Sequence, residues 1–318
     1  MSTTLTALPA GYLVRPANED DLEGWLTVTR LLEVHELGAA ESTWADVREE
    51  WGRPGFDLGS DAWVAIDGDG RIVGFTHVWA EEPTKLRCDG YVLPELNASA
   101  VEEHLIDLAE ARCTELRSAL SGEAEVNAGW VNVSSNGERA ALLERRGYRI
   151  VRTFIRMGIE LDGPRPQGDA PEGIKIRPVD PAVDLDEVYR VVETAFQDHW
   201  GFTPTPKPEF RRRFVEREDY DPSLWFLAEV DGRAVGAVMA FKEGEDGGWV
   251  KELGVLREAR GRGIGVALLE RCFAEFAERG WTNAQLGVDS DNPTGAVGLY
   301  QRAGMTERFR FDFWRREL

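Results

Sequence analysis

The run Arg260-Gly261-Arg262-Gly263-Ile264-Gly265 lies between a strand-like stretch, Trp249 to Val255, and an apolar helical pattern, Val266 to Phe276. A glycine-rich turn that opens a helix can aim several backbone N–H groups at one point. The helix dipole adds partial positive charge at the same place. Such a turn suits a pyrophosphate, and Arg260 and Arg262 would add full charges. No Gly-Lys-Ser/Thr follows, so this is not a Walker loop. The spacing, and the lack of an acidic residue about 20 positions on, also set it apart from the dinucleotide fingerprint. Three further residues could do chemistry. Tyr300 carries a phenol that stays protonated at neutral pH and can donate to a departing group. Asn292 precedes a helical stretch, where Asn is a favoured N-cap and Pro293 suits the first helical position. Glu252, beside Lys251 on the strand leading to the turn, is either a proton acceptor or a solvated strand carboxylate.

The turn resembles the R/Q-x-x-G-x-G/A segment of the GNAT superfamily of acyl-CoA-dependent N-acetyltransferases. A second segment agrees. Val288-Asp289-Ser290-Asp291-Asn292-Pro293 and then Leu299-Tyr300-Gln301-Arg302-Ala303-Gly304-Met305 are similar to the family's strand, Asn, helix, Leu-Tyr and Gly-Phe, with Met305 in the aromatic position. The resemblance covers residues 174 to 318 and is of the tandem-domain type, a mycothiol-synthase-like architecture. It implies an α/β (α+β) fold of two tandem domains. Each would have a mixed, mostly antiparallel central sheet with a splayed strand pair, flanked by helices. It also implies acetyl-CoA as co-substrate, held by Leu253, Gly254 and Val255 on the splayed strand and by Arg260, Gly261, Arg262, Gly263, Ile264 and Gly265. The amide of Asn292 would face the pantetheine arm. Tyr300 would be the general acid near the CoA sulfur. No metal is called for. Many relatives place a glutamate six residues before the position of Val255, but here that residue is Trp249. Glu252 is the first candidate to replace it, with a water chain to Asp289 or Asp291 as the alternative.

The elements that must position these groups occur twice. Trp63-Val64-Ala65-Ile66 with Gly70-Arg71-Ile72-Val73-Gly74 returns 162 residues later as Trp225-Phe226-Leu227-Ala228 with Gly232-Arg233-Ala234-Val235-Gly236, and Arg15-Pro16 returns as Arg177-Pro178. Each half begins with a short strand and an amphipathic helix, then presents two strands joined by a D-G turn. A Pro/Gly-rich segment at 162–171 separates them. The expected division is therefore a degenerate N-terminal domain at 1–161, that linker, and an acetyl-CoA-binding catalytic domain at 172–318. The halves differ in chemistry. Ala98-Ser99-Ala100-Val101-Glu102-Glu103 stands where the second half has its glycine turn, and Leu143 stands where it has Tyr300. The first half then serves either to enlarge a core or to shape a substrate pocket. Gly254 within its strand is consistent with a β-bulge or with close backbone packing. The acceptor would be selected by the segment from Ala195 through His199 to Phe202 and on to Phe210-Arg211-Arg212-Arg213.

Composition bounds the function. The 318 residues are 42% hydrophobic and 30% charged, enough for two cores of about 150 residues each. The net charge of −20 disfavours a nucleic-acid partner, including a tRNA donor. It keeps a protein dispersed and can also attract a cationic amine. No apolar run approaches the roughly 20 residues that cross a bilayer. The N-terminus shows no basic region followed by an apolar core, and Cys88, Cys113 and Cys272 form neither a disulfide framework nor a zinc pattern. A cytoplasmic protein with no membrane partner is expected, a tandem pseudo-dimer that could act as a monomer. Three activities compete. One is N-acetyl transfer from acetyl-CoA to the primary amine of a small molecule by direct attack. Another is acyl-CoA-binding regulation with little catalysis. The third is N-acyl transfer from a different donor.

Overall fold

The structure is a computed structural model. It describes residues 5–94, 99–120, 125–165, 168, 170–292 and 294–318. The chain divides into two compact units, Met1–Thr153 with Phe311–Leu318, and Phe154–Arg310. This differs from a division at 162–171, because the terminal strand of each half is shared out between the units. Pro166, Gln167 and Asp169 of the expected linker, and Ala98 of the first half, lie outside the described residues.

In the first unit, β1 (Leu13–Pro16), α1 (Leu22–Leu37), α2 (Trp44–Trp51) and α3 (Leu58–Asp61) precede the hairpin of β2 (Ala62–Ile66) and β3 (Ile72–Glu82). Then come β4 (Lys85–Val92), α4 (Ser99–Ala119), β5 (Asn127–Val133), α5 (Gly137–Arg145) and β6 (Arg149–Glu160). Strands β1 to β4 pair antiparallel in chain order, and β4 pairs parallel with β5. Phe311–Glu317, near the C-terminus of the chain, adds antiparallel to β5. Trp25 of α1 stacks on Phe75 of β3 with ring centroids 3.8 Å apart, anchoring the helix on the sheet.

The second unit repeats the order. It holds β7 (Lys175–Pro178), α6 (Leu185–Ala195), α7 (Lys207–Phe214), β8 (Phe226–Val230), β9 (Arg233–Glu243), β10 (Gly247–Val255), α8 (Ile264–Glu278), β11 (Asn283–Asp289), α9 (Ala296–Arg302) and the start of β12 (Thr306–Glu317). Strands β7 to β10 pair antiparallel in order, β10 pairs parallel with β11, and residues 154–160 of β6 add antiparallel to β11. Helix α6 buries Val188, Val191, Val192 and Ala195, the i, i+3, i+4, i+7 stripe of a helix lying on a sheet. Helix α8 buries ten of its fifteen residues and fills the core with Phe273 and Phe276.

Each parallel pair is short. Only Gly247–Trp249 faces Asn283–Gln285, and only Lys85–Arg87 faces Asn127–Gly129. Past these three residues the strands part, so both units carry the expected splayed pair. The fold is thus the mixed, mostly antiparallel tandem arrangement that the motifs imply. The repeat itself needs one adjustment. Trp63 pairs with Pro16, whereas Pro178 pairs with Phe226, so Trp63 corresponds in space to Phe226 and not to Trp225. The tight Asp231-Gly232 turn and the longer Asp67–Arg71 turn differ in length, and that difference lets the register slip between otherwise similar hairpins. The repeated Arg-Pro keeps its role in both units. Arg15 pairs with Asp21 at 2.7 Å, and Arg177 pairs with Asp184 at 2.5 Å.

Candidate active site

The fork between β10 and β11 opens into a cavity of about 560 Å³. Its wall includes Leu253, Gly254 and Val255 from the strand, Arg260, Gly261, Gly263, Ile264 and Gly265 from the turn and helix start, and Tyr300 from α9. Nine of the twelve sequence-derived site residues therefore share one space. Glu252, Arg262 and Asn292 are not on its wall.

The turn is built as the glycines require. Gly261 has φ 76° and Gly263 φ 80°, left-handed conformations that other residues rarely adopt. Gly263 is the N-cap of α8 and supplies no side-chain cap, so the first N–H groups of a fifteen-residue helix have no capping side chain. Among the described residues, no Asp or Glu lines this cavity. An anionic diphosphate fits such a place on charge as well as on geometry.

Other residues do different work from that expected. Arg260 does not extend a free charge. Its Nε donates to the Val255 carbonyl at 3.0 Å, its Nη2 donates to the Ala195 carbonyl at 3.1 Å, and its Nη1 lies 3.7 Å from the Asp198 carboxylate. It ties the end of β10 to the end of α6, because both segments expose carbonyls that no regular element satisfies. Arg262 is exposed. Gly265 serves packing, since a Cβ there would come within 2.6 Å of Leu299 Cδ1. Gly254 is not the bulge. The register of β10 shifts between Val250 and Glu252, while Gly254 pairs regularly with Ala237. A Cβ on Gly254 would meet the Ala195 Cβ at 2.9 Å, so close helix packing explains this glycine. Asn292 is not an N-cap either. Helix α9 starts four residues later behind Gly295, and Asn292 Oδ1 accepts from the Thr294 N–H at 2.8 Å and from Thr294 Oγ1 at 2.6 Å. Pro293 lies outside the described residues.

Tyr300 is 9% exposed and sits on the cavity wall. Burial, and then the negative charge of Glu252, push its phenol well above the ordinary value, so it remains a proton donor. Glu252 is half-buried, and burial raises its carboxyl to about 6 against the opposing pull of Lys251 and Arg213, with Glu193 adding a further upward push. A carboxylate near 6 is well placed to take a proton at neutral pH. Trp249, in the position of the absent glutamate, lies under the guanidinium of Arg156, 4.0 Å from its ring centroid. Arg156 is held in turn by Glu243 at 2.6 Å.

His199 reaches the same cavity. Its ring lies 4.3 Å from that of Phe196, and burial followed by the charge of Arg260 lowers its pKa, against Asp289 and Asp198. The segment from Ala195 to His199 thus meets the glycine turn rather than a separate space. Sequence reasoning did not place Thr294, Ala296 or Arg302 on the wall, although all three line it. The motif gives none of them a role of its own; α9 brings Ala296 and Arg302 there, and the turn before it brings Thr294.

Comparison with known proteins agrees with this geometry. Residues 185–305 match the acetyltransferase (GNAT) family. A mycothiol acetyltransferase of Saccharopolyspora erythraea is 31% identical over 258 residues, which cover 77% of this chain and 82% of that protein. One from Geodermatophilus obscurus is 28% identical over 97% of this chain and 99% of its own. The crystal structure of a GCN5-related N-acetyltransferase from Sphaerobacter thermophilus superposes with a TM-score of 0.81 at 30% identity, covering 98% of this chain and 97% of that one. A tandem GNAT protein from the clavulanic acid biosynthesis pathway, 18% identical, shares the fold over 96% of this chain and 98% of its own with a TM-score of 0.71. The chain belongs to the GNAT family of acetyltransferases, in its tandem form.

Proposed function

We propose that the second unit transfers an acetyl group from acetyl-CoA to the primary amine of a small molecule by direct attack. The observation that carries this reading is the single cavity in the β10–β11 fork. It joins an uncapped helix start, two left-handed glycines and a buried tyrosine, with no carboxylate on its wall among the described residues. The diphosphate would lie against Gly261 to Gly265. The pantetheine arm would run along Leu253 to Val255, where β10 has parted from β11 and its backbone groups have no partner on that strand. The amine nitrogen attacks the thioester carbonyl carbon, a C–N bond forms, the C–S bond breaks, and the thiolate takes its proton from Tyr300. Glu252 takes the proton that the ammonium must lose, directly or through water. Its half-buried position on the strand that also bears Leu253 supports this role.

The relatives named mycothiol acetyltransferase make a mycothiol-type small molecule the first acceptor class to test. The decisive measurement is release of free CoA thiol from acetyl-CoA across a panel of primary amines. Thiol release that depends on one amine class supports the reading. Tight acetyl-CoA binding with no amine-dependent release would instead make this an acyl-CoA-binding regulatory protein. Release only with longer acyl donors would change the donor.

A further inference from the structure

The first unit has a cavity of its own, about 1180 Å³, formed by the counterparts of the elements that build the acetyl-CoA fork. Helix α1 takes the place of α6, the end of β4 that of β10, the start of α4 that of α8, and α5 that of α9. Its chemistry is inverted. Among the described residues eight carboxylates line it, including Glu33, Glu50, Asp89, Glu102 and Glu103, against the guanidinium groups of Arg139 and Arg145. A diphosphate would be repelled there at every approach.

Two observations make this a site rather than a solvated acidic face. The first is that its carboxylates are desolvated without full compensation. Burial raises Glu33 and Asp89 above the usual carboxylate range and pushes Glu50 up to about 8. Among the described residues Glu50 has one ion pair, a long one to Arg53 at 4.0 Å. The second is Arg139, which lines the cavity at 6% exposure. Its Nη1 donates to Glu102 at 2.6 Å, but Nε and Nη2 have no hydrogen-bond partner. A buried guanidinium edge with unmet donors calls for an acceptor oxygen. Among the described residues, no group of three or more His, Cys, Asp or Glu side chains converges as a metal site, so the negative charge is spread rather than focused. Spread charge suits separated ammonium groups.

We propose that this cavity binds a small amine carrying at least two ammonium groups and an acceptor oxygen, the ammonium groups meeting Glu50 and Asp89 and the oxygen meeting Arg139. The site is independent of acetyl transfer in the second unit.

The test is calorimetry of the full chain at low ionic strength with 1,3-diaminopropan-2-ol and with 1,3-diaminopropane, which differ only in the hydroxyl. Both should bind saturably at one site, the hydroxylated diamine about threefold tighter or more, as one added hydrogen bond supplies. Glu50→Gln with Asp89→Asn should weaken both by about tenfold or more, the scale of lost charged hydrogen bonds. Glu50→Gln alone, which keeps shape, should weaken both measurably and guards against misfolding of the double variant. The control pair Glu23→Gln with Glu144→Gln removes the same charge from exposed positions off the cavity wall and should change affinity little. Gly263→Glu in the second unit should change nothing. Absence of saturable binding overturns the proposal, as does equal affinity for the two diamines. So does a control pair that weakens binding as much as the cavity pair, or loss of binding in Gly263→Glu.

Discussion

The two cavities sit in equivalent forks and carry opposite charge. Among the described residues, the second unit's has no carboxylate and is walled by Arg260 and Arg302, while the first unit's has eight carboxylates against two arginines. The frame is the same in detail. Leu143 and Tyr300 occupy matching turns of α5 and α9, with the Leu143 carbonyl accepting from Tyr148 N at 3.1 Å and the Tyr300 carbonyl from Met305 N at 3.0 Å. What separates them is a handful of side chains at the helix start and at that one position. A duplicated scaffold can therefore keep its strand fork and lose or invert the ligand it suits, because strand pairing and core packing constrain the scaffold and leave the wall free to change.

The comparison breaks most sharply at the helix starts. Gly263→Glu should abolish acetyl-CoA binding, a loss of about 100-fold or more in calorimetry, because a side chain and a like charge fill the cradle. Ser99→Glu, at the exposed start of α4 in the other cavity, should leave acetyl-CoA affinity unchanged. Equal losses in the two variants would mean that both units hold the donor. Val101 is a poor site for that control, being 0% exposed, since a charge there would unfold the first unit.

Next in size is the tyrosine that Leu143 replaces. Tyr300→Phe should lower kcat by roughly 10²-fold with little change in KM for acetyl-CoA, the usual scale for one general acid. A loss below about threefold would reduce Tyr300 to a packing residue, and the asymmetry with Leu143 would lose its chemical meaning.

Glu252 tests the base. In the parent protein kcat/KM should rise with pH through about 6, as its carboxyl ionises. Glu252→Gln should flatten that limb and lower kcat/KM about tenfold or more near neutrality, with partial recovery at high pH, where more acceptor amine is already neutral. An unaltered profile would move the base to a water chain near Asp289.

The smallest effect concerns stability in the acidic cavity. The folded value of Glu50, about 8, lies above its ordinary 4.5. The protonated form is therefore favoured by the fold, and its contribution is full below about pH 4.5 and lost as pH rises through 8. Glu50→Gln should raise the melting temperature of the first unit by a few degrees at pH 8 and leave it unchanged near pH 4. A variant no more stable at pH 8 would show that the carboxylate is already compensated, which weakens the case for a missing cation.

Much of this was legible in the chain. The glycine turn announced the helix start at Ile264, because glycine alone adopts without steric cost the left-handed conformations seen at Gly261 and Gly263. The halves were visible through repeated Arg-Pro and D-G signals, which have local causes. What was not legible has another cause. Gly254 was consistent with a bulge or with close packing and Gly265 with donor binding; both line the cavity, and what demands a glycine at each is a neighbour distant in sequence, Ala195 in one case and Leu299 in the other. Asn292 had the local chemistry of an N-cap, but its carbonyl oxygen went to Thr294 and the helix began at Ala296.

By itself the sequence determined the family, the doubled plan, the inequality of the halves and the tyrosine proposed for the site, since each is written in residue types at short, regular spacing. Only the tertiary structure decided what Arg260 holds, where the β10 register slips, that His199 shares the fork with the glycine turn, and that eight scattered carboxylates face one space in the first unit. Those are facts of juxtaposition. Arg260 and Ala195 are 65 residues apart, and nothing in the local pattern of either segment encodes the partner against which it packs.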